Sequence, residues 1–204
     1  MHPENMHESG SLDRATGRLQ RGPTPSGYRV ATFADVFKRH GLTMSVLALI
    51  CLLLPGSWAL LTTATAPAIR EPMPYLATLA GMLLFFVYWS RRHGFAPGRQ
   101  VPWVGYLLLI SIVEEITFRL VVPQLLQAHM DIRLAHVLSN LAFACIHYFT
   151  LRWRMVNCAV TFLGGMGLSQ LMGRGDLLLV ILVHWIGTFI NTPAPPSGES
   201  DGAG

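Results

Sequence analysis

Residues 42–69 read LTMSVLALICLLLPGSWALLTTATAPAI, 28 positions without a single Asp, Glu, Lys or Arg. A helix needs about 20 mainly apolar residues to cross the hydrocarbon core of a bilayer, so this run predicts a membrane span, with Pro55 and Gly56 as a kink in its middle. A cleaved signal peptide fits poorly, because polar sequence precedes the run and the run is too long for such a segment. The same pattern continues downstream. Tyr75–Ser90, Pro102–Gln127, Leu134–Leu151, Met155–Met172 and Leu177–Thr192 are apolar and are separated by short polar joints, which predicts six spans and an all-α, polytopic transmembrane helix bundle.

Composition agrees. Of 204 residues, 13% are charged, 51% are hydrophobic, and the mean hydropathy is +0.43. A soluble domain carries about 25% charged residues, so a soluble globular class is excluded. Cys51, Cys145 and Cys158 all fall in apolar stretches with no framework spacing, which points to buried hydrophobes and not to a disulfide or zinc scaffold. The formal charge of +4 has a topological origin. With six spans, Arg14, Arg18, Arg21, Arg29, Lys38, Arg39, Arg91, Arg92, Arg99, Arg152 and Arg154 share one side, against Arg70, Arg133 and Arg174 on the other. Cytoplasmic loops carry the Lys/Arg excess, so both termini are expected in the cytoplasm and nucleic-acid binding has no place in the account. Residues 1–41 are expected to be a flexible basic tail, 42–192 the transmembrane domain, and 193–204 a flexible C-terminal tail.

Three charges break the apolar pattern within six residues, in Ile112-Val113-Glu114-Glu115-Ile116-Thr117-Phe118-Arg119. Each costs at least about 2.5 kcal/mol at bilayer depth on insertion scales. Glu115 and Arg119 stand at i and i+4 and can pair, whereas Glu114 lies about 100° around the helix and lacks that partner. Two further spans bring histidines. Asn140, Phe143 and His147 share one helical face, and so do His184, Thr188 and Asn191. His136 is expected at the interface, and His2, His7, His40, His93 and His129 fall in tails or loops where nothing marks them. Counted from the helix ends on the cytoplasmic side, Glu114 lies about 18 Å deep from Pro102 and His147 only about 7 Å deep from Arg152, so their meeting requires tilt or shifted boundaries.

A carboxylate beside a histidine can hold and deprotonate a water, and a second histidine, amide or hydroxyl can donate to the oxyanion formed when that water attacks a carbonyl. The constellation therefore suits amide hydrolysis without a covalent intermediate. No Gly-x-Ser-x-Gly elbow and no His-Glu-x-x-His helix is present. A metal site of two histidines and a glutamate remains open on ligand count, as does a non-enzymatic haem-binding or proton-relay protein using His147 and His184.

Glu114-Glu115-x-x-x-Arg119, then Phe143-x-x-x-His147, then His184 in a last apolar helix, resembles the CAAX protease and bacteriocin-processing family of intramembrane glutamic endopeptidases. The resemblance covers 101–191 and implies that the helix bundle encloses a polar intramembrane cavity. It implies Glu114 as the base that activates water, Glu115 with Arg119 as its orienting partner, His147 in positioning the water and His184 in stabilising the oxyanion, with no cofactor or metal. It also implies a membrane-associated protein or peptide substrate; oligomeric state is not readable. Thr188, Leu151 and Leu120 stand where the family often has Asn, Asn or Asp, and Gly, and Asn140, Thr188 and Asn191 are the candidate oxyanion or water-positioning groups. A bacterial inner-membrane enzyme is expected, with a prenylated substrate the least favoured. A peptide-binding relative that does not cut is a further alternative.

Overall fold

The computed structural model describes residue 30 and residues 32–196. Residues 1–29, 31 and 197–204, which hold most of the two expected tails, lie outside the described residues. Seven helices and no sheet make up the described chain, once two π-helical stretches are counted within the helices they interrupt. They are α1 (Phe33–Leu53), α2 (Ser57–Arg70), α3 (Pro72–Arg92), α4 (97–127), α5 (Ile132–Thr150), α6 (Met155–Met172) and α7 (Leu177–Asn191).

Of these, α1, α3, α5 and α6 are long and apolar enough to cross a membrane, and α7 is a shorter apolar helix. Leu49, Ile50 and Leu53 on α1, Leu84 and Val87 on α3, and Val160 and Leu163 on α6 are exposed. Apolar side chains on the outer face and polar ones within are the arrangement of a helical membrane bundle.

The expected first span is corrected. It is two helices, and the first of them starts well before Leu42. Thr32 caps α1, its side chain accepting from the Asp35 backbone N–H at 3.1 Å while Asp35 reaches back to the Thr32 N–H at 3.1 Å. This Thr-x-x-Asp capping box fixes the helix start at Phe33. At the far end, Pro55 forces its predecessor out of the helical region, and Leu54 is extended with ψ 145°. Gly56 then takes φ 82°, a left-handed conformation that L side chains resist, and the chain turns into α2. Ser57 donates from Oγ to the Cys51 carbonyl at 2.7 Å, satisfying a group freed at the break. At 14 residues α2 is about 21 Å long, too short to span.

The other boundaries move by a turn or less, except that α4 starts at Pro97 and runs as one rod of about 45 Å through a π-helical stretch at Ile116–Val121. Cys51 and Cys158 are buried as expected, but Cys145 is exposed on the outer face of α5. Aromatic contacts lock α3, α4 and α7 together. Phe86 packs on Trp185 and Phe189 with centroids 4.9 and 4.3 Å apart, and Trp185 and Trp103 donate their indole N–H groups to Val104 O at 3.1 Å and Thr192 O at 2.9 Å.

The turn at Gly56 carries a test. Nothing lies within 4 Å of a Cβ added there or at Gly81 on α3, so only backbone conformation separates the two positions. Gly56→Val is expected to lower unfolding free energy by about 1–2 kcal/mol, and Gly81→Ala to be neutral or slightly stabilising, in thermal unfolding of the detergent-solubilised protein.

Candidate active site

The glutamate pair sits where α4 passes from α-helical to π-helical winding. Glu114 and Glu115 close the α-helical part, and Ile116–Val121 continue with the wider i to i+5 turn. A π turn inserts one residue and rotates the next part of the helix, a device found often at functional sites. The cost falls on the backbone carbonyls, and α5 answers it. Ser139 donates to the Phe118 carbonyl at 2.6 Å, while Thr117 donates to Val113 O at 2.7 Å. Glu114, Glu115 and Arg119 are all buried.

Glu114 is met by three imidazoles from three helices. His40 Nε2 of α1 lies 3.0 Å from Oε1, His147 Nε2 of α5 lies 3.5 Å from the same oxygen, and His184 Nε2 of α7 lies 3.6 Å from Oε2. Each ring is held through its other nitrogen. His147 Nδ1 donates to the Phe143 carbonyl at 2.8 Å, His184 Nδ1 donates to Glu115 Oε1 at 2.5 Å, and His40 Nδ1 sits 2.8 Å from Thr150 Oγ1. Partners of this kind fix both ring orientation and tautomer, leaving the Nε2 atoms aimed at one carboxylate.

The second glutamate braces this arrangement. Glu115 Oε2 pairs with Arg119 Nε at 3.4 Å, the predicted i, i+4 contact, and its other oxygen holds His184. Arg119, Glu115, His184 and Glu114 thus form a chain of alternating charge capacity across α4 and α7. Phe143 packs into its side. The Arg119 guanidinium lies 3.9 Å from the Phe143 ring centroid, and the ring meets His147 at 4.6 Å and His184 at 6.0 Å. Phe143 therefore backs two of the histidines and the buried arginine with apolar surface and a cation–π contact.

The structure brings Glu114, Glu115, Arg119, His147 and His184 together. The other three candidates are elsewhere. Asn140 is buried one side over, donating from Nδ2 to Ser169 Oγ and His136 O, both at 2.8 Å, so it supports the Arg119 region. Thr188 donates to the His184 carbonyl of its own helix at 2.9 Å, and Asn191 is exposed at the end of α7, about 10 Å along the axis from His184.

His40 is a site residue that hydropathy hides. Placed in the N-terminal tail when the first helix is started at Leu42, it is instead buried inside α1. The capping box Thr32-Phe33-Ala34-Asp35 is the signal that moves the helix start and turns an unmarked tail histidine into an intramembrane one. The difference in depth expected between Glu114 and His147 also resolves here. The start of α1 covers the end of α5, with Arg39 donating to Thr150 O at 3.2 Å, so α5 ends beneath α1 and not level with α4. One ligand atom each from His40, Glu114 and His147 lie within 4.8 Å of one another, a set that could hold a metal ion.

Close approach by α6 completes the Arg119 side. A Cβ at Gly165 would stand 2.2 Å from Asn140 Oδ1 and 2.7 Å from Arg119 Nη2, whereas at Gly164 it would meet nothing within 4 Å. Gly165→Ala is therefore expected to push Asn140 and Arg119 aside, costing about 1–3 kcal/mol in thermal unfolding, with Gly164→Ala near wild type.

No curated protein and no solved structure shows a match to the chain. One family does. Its model, described as Type II CAAX prenyl endopeptidase Rce1-like, matches residues 96–190, which run from the start of α4 into α7 and hold every buried charged site residue except His40. Over that segment the chain is similar to the Rce1-like CAAX protease family, and four of its helices are long and apolar enough to cross a membrane.

Proposed function

We propose that the chain is an intramembrane endopeptidase that hydrolyses a peptide bond in a membrane-associated protein or peptide, with Glu114 as the base. The observation that carries this reading is the convergence of His147 and His184 on Glu114 at 3.5 and 3.6 Å. These separations are beyond good hydrogen-bond length, so both Nε2 atoms are free to meet a reactant beside the carboxylate. Water held between Glu114 and His147 gives its proton to Glu114 as its oxygen attacks the carbonyl carbon. His184, held on Nδ1 by Glu115, has Nε2 beside Glu114 and is suited to stabilise the negative charge that develops on the carbonyl oxygen. Glu114 then returns the proton to the departing amine as the C–N bond breaks. The Lys/Arg bias supports cytoplasmic termini, and the candidate catalytic segment is 101–191 within a domain spanning 42–192 extended by the start of α1.

A second reading is favoured by one observation, the ligand spacing of His40, Glu114 and His147. Two histidines and a glutamate with a fourth position open is a catalytic zinc set, in which the metal would supply a bound hydroxide. Metal analysis of the purified protein separates the readings. A stoichiometric divalent ion, with activity lost to strong chelators and restored by the ion, would replace Glu114 as base.

The test uses protein in liposomes and three quenched peptides: one with a farnesylated Cys in a C-terminal Cys-a-a-X sequence, the same peptide without lipid, and one on a transmembrane anchor. Wild type is expected to cut at least one. Glu114→Gln is expected to lower its rate by about 100-fold or more, and His147→Ala and His184→Ala to lower it similarly. Cleavage of none of the three by wild type, or full activity in Glu114→Gln, would overturn the assignment.

A further inference from the structure

We propose that His40 is a positioning residue for Glu114, holding a proton on Nε2 that it donates to Oε1 and so fixing the orientation in which the carboxylate meets water. The inference rests on the reading of Glu114 as the base. It concerns a residue of α1, outside the segment 96–190 that matches the family.

Hydrogen-bond geometry distinguishes His40 from the other two histidines. Thr150 Oγ1, 2.6 Å from the Ile146 carbonyl, is fixed at the end of α5. It stands 2.8 Å from His40 Nδ1 and so holds that side of the ring. On the other side of the ring, Nε2 lies 3.0 Å from Glu114 Oε1, and a carboxylate oxygen only accepts. Nε2 therefore donates, and a hydrogen bond to a carboxylate is charge-assisted and stronger than one between neutral groups. His147 and His184 are held only on Nδ1 and stand further off. His40 is the one imidazole already spent on Glu114, which is why it suits holding the base and not meeting the substrate.

The surroundings of His40 are built to keep it there. Phe37–Gly41 is a second π-helical stretch, and the extra residue turns His40 inward from a helix whose neighbouring face is exposed. A Cβ on Gly41 would lie 3.0 Å from the Tyr106 ring, tighter than ordinary packing, so this turn approaches α4 closely. Arg39 anchors the end of α5 beside Thr150, and the His147 ring lies 4.9 Å from that of His40. A histidine that merely caps α5 would need the Thr150 contact alone. The Glu114 contact at 3.0 Å is what a capping role leaves unexplained.

The experiment uses the full chain in liposomes, with whichever of the three quenched peptides wild type cleaves, and Glu114→Gln as the reference for the base. His40→Ala is expected to lower kcat about 100-fold with KM within about twofold, and its thermal midpoint to stay close to wild type. Imidazole added to His40→Ala is expected to restore at least about tenfold of the loss, and His40→Gln, which keeps a donor, to stay within about tenfold of wild type. Thr150→Val is expected to lower kcat about fivefold. An inactive Glu114→Gln beside a fully active His40→Ala would overturn this inference and leave the base assignment standing. A loss in His40→Ala that neither imidazole nor Gln restores would mark His40 as structural and overturn it. One equivalent of zinc in wild type that His40→Ala fails to retain would also overturn it, because His40 would be a ligand. Full activity in Glu114→Gln would end both readings.

Discussion

Two adjacent carboxylates buried in an apolar bundle are the constraint around which the rest of this structure is arranged. Each unpaired would cost several kcal/mol, and the two repel each other. The solution divides partners by carboxylate. Glu115 receives the full-time cation, Arg119, together with His184. Glu114 receives three imidazoles, groups whose charge can be added or withdrawn by one proton. A fixed charge thus neutralises the glutamate that braces, and titratable groups surround the proposed base. Reversing the assignment would clamp Glu114 in a permanent ion pair and leave it a poor acceptor for a proton from water.

This division depends on helix winding as much as on residue type. Consecutive residues of a helix diverge by about 100°, so Glu114 and Glu115, both in the α-helical part of α4, meet different partners. The π turn at Ile116–Val121 re-aims Phe118 and Arg119 relative to the pair, and the one at Phe37–Gly41 does the same for His40. Each disturbs the backbone ladder, and in each case a nearby hydroxyl takes up a carbonyl: Ser139 for Phe118, and Thr43 for Arg39 at 2.8 Å. The repair residues are neutral and small, which keeps further charge out of the apolar interior.

The parts of this architecture that arise from local rules were legible in the sequence. Hydropathy marks the helices, i, i+4 spacing marks the Glu115–Arg119 pair, and the order of Glu114, His147 and His184 carries the family. Convergence from different helices was not legible. The distance from His40 to Glu114 depends on where α1 begins and how it crosses α4, and neither is a property of the residues around His40. Asn140 and Asn191 show the converse error. Both share a helical face with a site histidine, but a face spans several turns, and seven residues of separation is about 10 Å of axis. The break at Leu54–Gly56 was legible in kind, since Pro55 and Gly56 predict a bend, but a kink and a full reversal of direction share the same residues. What separates them is whether the following helix is long enough to cross, and α2 is not.

The burial of the three histidines adds a direction to the site. Side-chain exposure rises from 3% at His40 to 6% at His147 and 12% at His184. Glu114 is thus sealed by α1 and most open toward α7. The side of the carboxylate that His40 occupies at 3.0 Å is the side that needs no access, and the side left open is bordered by the two imidazoles that stand off from it. Helix α1 therefore contributes closure as well as a bond: without it the end of α5 and the back of Glu114 would face lipid or water, and a carboxylate exposed on both sides could turn. One residue outside the matched segment and one helix that begins earlier than its hydropathy suggests leave Glu114, the proposed base, with a single open face.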